Sequence, residues 1–268
     1  MRFLLYPNPA SSEARALSAA LAQRLLTEGQ QVCAADQPDQ ADIAVVLGGD
    51  GTVLRAIRAL QPANKPIWAI NCGHLGYLTD CQKENAMQSL DKILQSEFHL
   101  ENRIRLGGTL MNGRQVMALN ELLFHRGACV HALEIEVLVN GSRALKFRGD
   151  GLILCTPSGS TAYNLSAGGP VLMPEMELMA MTPICAQALS AVPIVVSSHD
   201  RIRVNWQMPN RDGREERADL TADGQEKYLL PDMGSIELDG EMPPVALVRT
   251  IENDFYSRLQ HRMHWNAE

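Results

Sequence analysis

The sequence predicts two domains of different class: an α/β domain on a parallel sheet, then a mostly antiparallel β domain, most simply a sandwich. Three observations predict this. Short apolar strands alternate with amphipathic helical stretches up to about Gln95. From about Leu100 the texture changes to short alternating strands punctuated by Asn-Gly pairs. Finally, Ile251, Phe255, Leu259 and Met263 recur at steps of four, with acids early and arginines late, a last helix suited to packing back on the first domain. The expected boundaries are 1–100, completed by 250–268, and 101–249.

Taken in order, Phe3 to Tyr6 reads as the first strand. Asn8 and Pro9 are the expected cap and first position of a helix, and Gly29 its stop. Leu17, Leu21 and Leu25, with Ala14 and Ala20, make its apolar stripe. A strand near Val32, a strand Ile43–Leu47, a helix to Leu60 and a strand Pro66–Ile70 follow, then a helix over Glu84 to Gln95. In the second half, Arg103–Met111 and Arg114–Leu119 flank Asn112-Gly113, and Leu133–Val139 and Arg143–Phe147 flank Asn140-Gly141, both hairpin signals. Ile135, Val137 and Val139 alternate with Glu134 and Glu136, the pattern of a half-buried strand. Further strands fit Leu152–Cys155, Ile194–Ser197, Ile202–Trp206, Ser235–Leu238 and Val245–Val248. Pro209 to Asp219, dense in both charges, reads as a solvated hairpin tip.

The composition is 46% hydrophobic and 21% charged, that of an ordinary globular protein with ample core. A formal net charge of −7 weighs against a general nucleic-acid binder. The six cysteines are scattered and form no C-x-x-C pair, which argues against a zinc or disulfide framework. The apolar opening, Met1 to Tyr6, is too short for a signal peptide, and no apolar run approaches the length of a membrane span. A cytoplasmic protein without membrane or nucleic-acid partner is the expectation.

The stretch that carries chemistry is Leu47-Gly48-Gly49-Asp50-Gly51-Thr52, between an apolar strand and a helix. Glycines let backbone N–H groups approach an anion, and the helix start adds its positive dipole end. No lysine and hydroxyl follow at the spacing of a Walker loop. A carboxylate among phosphate-binding amides repels the anion they attract, so it points to a proton to abstract or a magnesium ion to hold. A tight turn with Asp50 capping the helix explains this stretch equally well. A second glycine turn, Asn71-Cys72-Gly73-His74-Leu75-Gly76-Tyr77-Leu78, follows another strand, at the sheet edge where open α/β sheets bind ligands. Arg148-Gly149-Asp150-Gly151 and Thr156 to Pro170 form a second informative region, dense in hydroxyls and glycines and suited to phosphate and ribose oxygens. Asn120-Glu121 is a polar pair beside an apolar strand, for which an ordinary turn is an equal explanation.

Together these motifs resemble the NAD kinases in identity and order: Gly48-Gly49-Asp50-Gly51-Thr52, Asn71 to Leu78, Asn120-Glu121, Asp150-Gly151 and Thr156 to Pro170. The glycine turn alone is shared with phosphofructokinases and lipid kinases, whereas Thr156-Pro157-Ser158-Gly159-Ser160-Thr161-Ala162-Tyr163 is discriminating. The resemblance implies a Rossmann-like N-terminal domain, a β-rich NAD-binding and oligomerisation domain, and a site between them. The implied reaction is magnesium-dependent transfer of the ATP γ-phosphate to the 2′-hydroxyl of the adenosine ribose of NAD, giving NADP. Asp50 is then the proton acceptor. Gly48, Gly49, Gly51 and Thr52 would form the phosphate-side turn, with Gly51 approaching the dinucleotide backbone-on, and Asn71, Gly73 and Leu75 would line the second turn. Asn120 and Glu121 would hold the adenosine half, Glu121 accepting from ribose hydroxyls. Asp150 would take the nicotinamide end, with Arg148 near the phosphates. Ser158, Thr161, Ala162, Tyr163 and Ser166 would line the adenine and nicotinamide pockets, joined by Gln225.

No residue is singled out as a metal ligand; the resemblance implies Mg2+ or another divalent cation as cofactor, with ATP and NAD as substrates. Asp223 and Asp232 read as turn residues, and the His261/His264 pair as a frayed tail. An even homo-oligomer, dimer or tetramer, is expected. One departure from the family pattern stands at Ile184-Cys185-Ala186-Gln187, where relatives carry a proline and histidine; it bears on subunit contacts and NAD-against-NADH preference rather than on the reaction. Two alternative functions stand beside this one. A lipid or sphingoid kinase needs an apolar acceptor pocket, which the polar Thr156–Ser166 segment opposes, and a non-catalytic NAD sensor would have no use for Asp50.

Overall fold

The computed structural model describes residues 1–34, 36–61, 63–73, 76–129, 131–209, 217–251 and 255–263. His74 and Leu75 of the second glycine turn, most of the charge-dense stretch (210–216), the acids ahead of the last helix and His264 lie outside the described residues. The chain divides into two compact units, Met1–Arg103 with Val245–Glu268, and Ile104–Pro244.

In the first unit a parallel sheet runs in the order Gln31–Cys33, Arg2–Pro7, Ile43–Leu47, Ile67–Asn71. Every residue of Ile43–Leu47 and Ile67–Asn71 is buried, as central strands covered on both faces require. The chain order reverses at Arg2–Pro7, which has the second strand on one side and the third on the other, so the glycine turn after Leu47 leaves the sheet beside the switch point. The first helix, Ser12–Thr27, does not start at Asn8-Pro9. Ser11 caps it, accepting from the N–H of Ala14 at 3.2 Å, while Asn8 Oδ1 is taken by the N–H of Ala10 at 3.1 Å. Gly29, at φ +73°, follows the helix end. Ala14, Leu21 and Leu25 face the core but Ala20 is exposed, so the apolar stripe is narrower than its spacing suggests. The expected Glu84–Gln95 helix is a short 3-10 turn, Lys83–Asn85, leading into Ala86–Leu94. The last helix, Phe255–Met263, belongs to this unit; Phe255 lies 6.1 Å from the Tyr77 ring and Leu259 is buried. Ile251 precedes it and is exposed.

The second unit is a sandwich of antiparallel sheets. One is ordered Ile194–Ser197, Leu178–Ile184, Gly151–Cys155, Glu121–His125, Asp219–Ala222, Glu226–Leu229. The other places Leu133–Val139 between Ser142–Gly149 and Ile202–Gln207, with Met233–Arg249 beyond. Leu133, Ile135 and Val137 point inward, while Glu134 turns out to meet Lys146 at 3.4 Å. Leu122, Phe124, Leu152, Leu154 and Leu220 fill the other side, with Phe124 6.1 Å from Trp206. Each such side chain contributes roughly 1.5–3 kcal/mol by burial, so a one-residue slip, which reverses a strand's faces, is strongly disfavoured.

Asn140 and Gly141 both take positive φ (50° and 84°), the two-residue turn expected there. At Asn112-Gly113 only Gly113 does (80°), and the N–H of Leu110 donates to Arg114 O across a wider loop, so the strands stop at Thr109 and resume at Gln115. The strands expected at Ser235–Leu238 and Val245–Val248 are one continuous strand, Met233–Arg249. Its Pro243 donates nothing to the ladder, but its carbonyl accepts from Arg105 Nε at 2.5 Å.

Candidate functional site

In the first unit the site is built on the glycine turn. Gly48 adopts φ +155° and a Cβ there would overlap the Thr52 side chain, so conformation and space both demand glycine. Its N–H donates to Ile70 O at 2.9 Å, tying the turn to the neighbouring strand. Gly49 is the N-cap of the helix Asp50–Ala59 and Asp50 its first residue. The Asp50 side chain does not cap its own helix. Its Oδ2 accepts from the N–H of Tyr77 at 2.9 Å and its Oδ1 from the N–H of Leu78 at 3.0 Å. A carboxylate offers about four lone-pair sites, so these two bonds fix the group and leave it able to accept again. A Cβ on Gly51 or Gly73 would meet nothing within 4 Å, so both backbones stand open. Thr52 is buried and accepts from Arg55 Nη2 at 3.3 Å.

Asn71, fully buried, donates to Gly73 O and Gln82 Oε1, each at 3.0 Å, while its own Oδ1 receives no hydrogen bond from the described residues. That oxygen lies 4.0 Å from where a Cβ on Gly49 would stand. It is an unused buried acceptor facing the glycine turn, and such atoms call for an outside donor.

The second unit assembles its own group. Thr156 Oγ1 donates to Leu119 O at 2.5 Å and the N–H of Thr156 to Asn120 O at 2.9 Å. A Cβ on Gly159 would overlap the backbone of Asn120, so the Thr-Pro-Ser-Gly run and the Asn-Glu pair lie directly against each other. Buried Ser160 bridges Pro157 O and the Leu172 backbone; buried Asn164 ties Ser160 O to Pro170 O and accepts from Thr182. These side chains hold the loop's shape, leaving Thr161 and Ala162 half-buried and Tyr163 and Ser166 exposed, with Ser158 buried.

Asn120 Oδ1 and Glu121 Oε2 are buried and receive no hydrogen bond from the described residues. Burial, reinforced by the nearby Asp223 charge, pushes the Glu121 carboxyl up to about 7. Asp223, at φ +52° in the turn between Asp219–Ala222 and Glu226–Leu229, accepts from the N–H groups of Leu119 (3.1 Å), Asn120 (2.7 Å) and Glu121 (3.3 Å). Gln225, on the same turn, is exposed and its N–H donates to Ala222 O. The turn reading of Asp223 is right but incomplete, since its carboxylate also organises the Asn-Glu pair. The Asp-Gly dipeptide between alternating apolar residues was the available signal for that hairpin.

Asp150 is ion-paired with Arg126, whose Nε lies 2.7 Å from Oδ1, a partner the sequence reading missed. Arg148 points outward from its strand, in the exposed register of Arg143 and Lys146, and is not gathered with Asn120 and Glu121. Leu75 lies outside the described residues.

Residues 7–98 match the ATP-NAD kinase N-terminal domain and residues 119–249 the ATP-NAD kinase C-terminal domain. An NAD kinase of Moorella thermoacetica is 38% identical over 226 residues, covering 83% of this chain and 71% of the relative. One from Syntrophobacter fumaroxidans is 34% identical over 234 residues, covering 86% and 81%. Among solved structures, an NAD kinase from Archaeoglobus fulgidus in complex with ATP superposes with a TM-score of 0.80 at 26% identity, over 98% of this chain and 99% of that one. Yeast NADH kinase complexed with NADH shares the fold, with a TM-score of 0.85 at 22% identity over 100% and 89%. Two domain matches in sequence order and relatives of this identity lead to one conclusion: the chain belongs to the ATP-NAD kinase family.

Proposed function

We propose that the chain moves the γ-phosphate of ATP to the 2′-hydroxyl of the adenosine ribose of NAD, with Asp50 as the acceptor of the hydroxyl proton. The observation that carries the residue assignment is the set of buried, unused acceptors: Asn120 Oδ1 and Glu121 Oε2 in the second unit and Asn71 Oδ1 in the first. Ribose hydroxyls and an adenine amino group are donors of the kind these atoms lack. Phosphoryl transfer needs alignment and charge neutralisation more than covalent chemistry, and a carboxylate fixed by two amides beside a glycine turn is suited to orienting a hydroxyl.

In this reading Gly48, Gly49, Gly51 and Thr52 border the phosphates, with Asn71 and Gly73 beside them. Asn120 and Glu121 hold the adenosine ribose. Ser158, Thr161, Ala162, Tyr163, Ser166 and Gln225 surround the bases, and Asp150 and Arg148 serve the nicotinamide side. Magnesium neutralises the transferring phosphates when bound, and it prefers substrate phosphates and water to a protein cage. Among the described residues no three His, Cys, Asp or Glu side chains converge.

A cytoplasmic location and an even homo-oligomer belong to the same proposal. Among the described residues no helix is long and apolar enough to cross a membrane. The second unit leaves Leu229 and Met233 exposed near one edge of its six-stranded sheet, apolar surface that a subunit contact would cover.

The deciding experiment mixes purified protein with MgATP and NAD and reads NADP through an NADP-specific dehydrogenase, beside Asp50→Asn. Turnover that falls to a small residual rate in the variant, with NAD still bound, is the expected result. Full turnover in the variant would remove Asp50 from the chemistry.

A further inference from the structure

The amides that hold Asp50 are themselves held. Arg258, on the last helix, is only 7% exposed. Its Nη1 donates to Gly76 O at 2.8 Å and Thr79 O at 2.6 Å, and its Nη2 to Asp80 O at 3.1 Å. Arg249 adds Nη1 bonds to Leu78 O (3.2 Å) and Thr79 O (2.9 Å), with its Nε on Glu101 at 2.7 Å. Asp80 closes the segment, accepting from Trp68 Nε1 at 3.0 Å and from the N–H and hydroxyl of Thr250 at 3.0 and 2.6 Å.

The geometry has a direct consequence for Asp50. The carbonyl of Gly76 and the N–H of Tyr77 lie in one peptide plane and point in opposite directions within it. A guanidinium on the carbonyl therefore fixes the direction of the N–H that binds Asp50 Oδ2, and polarises that N–H toward the carboxylate. The planar fork reaches three carbonyls from two separate nitrogens, whereas an ammonium offers a single nitrogen.

We propose that Arg258 is a positioning residue for phosphoryl transfer, which sets the carboxylate of Asp50 through the Gly76–Asp80 backbone without touching substrate. The proposal rests on Asp50 being the proton acceptor.

The test uses the full-length chain with Arg258→Met and Arg258→Lys, each also combined with Asp50→Asn. Amide hydrogen exchange at Tyr77 and Leu78 is followed with Val45 and Val46 as internal controls, and kcat and KM are measured for NAD and MgATP. In Arg258→Met, protection at Tyr77 and Leu78 should fall about tenfold or more while the strand keeps its own. Turnover should fall about ten- to a hundredfold with both KM values within about twofold. Arg258→Lys should recover part of the turnover, and neither change should lower the residual rate of Asp50→Asn further.

Unchanged protection at Tyr77 and Leu78 overturns the proposal, as does an equal loss of turnover in the Asp50→Asn background. If Arg258→Met also exposes Val45 and Val46, the lysine variant decides: normal turnover with lost protection at Tyr77 and Leu78 overturns it. Full turnover in Asp50→Asn alone removes the acceptor role and the proposal with it. That failure is recognisable by itself, since the exchange experiment requires no turnover.

Discussion

Gly76 stands so close to Asp50 that a single methyl group on it would overlap Oδ1 of the carboxylate. The obstructed atom is the end of a side chain, so Gly76→Ala should fold and displace the carboxylate rather than the backbone. Turnover is expected to drop about tenfold or more, since small misplacements of reacting groups are costly. The melting temperature should move by no more than a few degrees. Steady-state kinetics beside a thermal melt checks this, and unimpaired kcat would mean that the position of the carboxylate is immaterial.

Gly51 presents the opposite case. A Cβ there has open space, and alanine is favoured over glycine inside a helix by about 1 kcal/mol. Gly51→Ala should therefore melt at the same temperature or slightly higher, yet bind MgATP or NAD more weakly because the methyl occupies ligand space. Calorimetric titration reads the loss, and unchanged affinity for both substrates would show that nothing approaches this backbone.

Glu121 links pH to both binding and stability. Its folded pKa, about 7, lies above its ordinary value of 4.5, so the native protein holds this proton more tightly than the unfolded chain does. Native stability is therefore lost as pH rises from 4.5 through 7, by a few kcal/mol at most. Glu121→Gln escapes that loss and should melt higher than the parent at pH 8 but about equally at pH 4.5. The KM for NAD in the parent should fall as pH rises through 7, as the carboxylate forms to accept ribose hydroxyls, whereas the variant should show a flat and higher KM. A pH series of melts and KM values decides, and a variant with the parent's KM profile would exclude Glu121 from ribose binding.

Asp223→Asn tests the coupling between the hairpin turn and the Asn-Glu pair. Asparagine tolerates the positive φ, so the turn should survive. Loss of the charge weakens the bonds to three N–H groups and should cost about 1–3 kcal/mol. Burial is the larger cause of the high Glu121 pKa and the Asp223 charge the smaller, so the pH limb of the NAD KM should move to lower pH without reaching the ordinary carboxylate range. An unmoved limb would separate the two acids.

What could be read in advance followed from local rules. Ile43–Leu47 is apolar throughout and is a central strand; Asn140-Gly141 is a turn because both residues tolerate positive φ. Local rules misled where a competitor was equally local. Asn8-Pro9 looks like a helix start, but Asn8 bonds to Ala10 and Ser11 becomes the cap. Leu178–Ile184 is not among the expected strands; its Pro183 pairs opposite Leu152 near the strand's end, where a missing N–H is tolerated. The glycine turns and Asn120-Glu121 were visible as motifs. The supports beneath them were not, since Arg258 reads as a basic residue late in a surface helix and its partners lie up to 182 residues away.

That separation has a consequence for biosynthesis. The second unit is a continuous segment and is translated whole, whereas the first waits for Val245 and the residues after it. At roughly 5–20 residues per second, the ribosome delivers Arg258 on the order of ten seconds or more after Gly76. For that interval the nascent chain carries the Asp50 carboxylate without the arginine bracket that aims it. With Asp50 and Arg258 in their proposed roles, the order of synthesis delays competence for catalysis until after the second unit has been made, and a ribosome stalled before Arg258 would yield a protein with every glycine motif present and the Asp50 carboxylate unaligned.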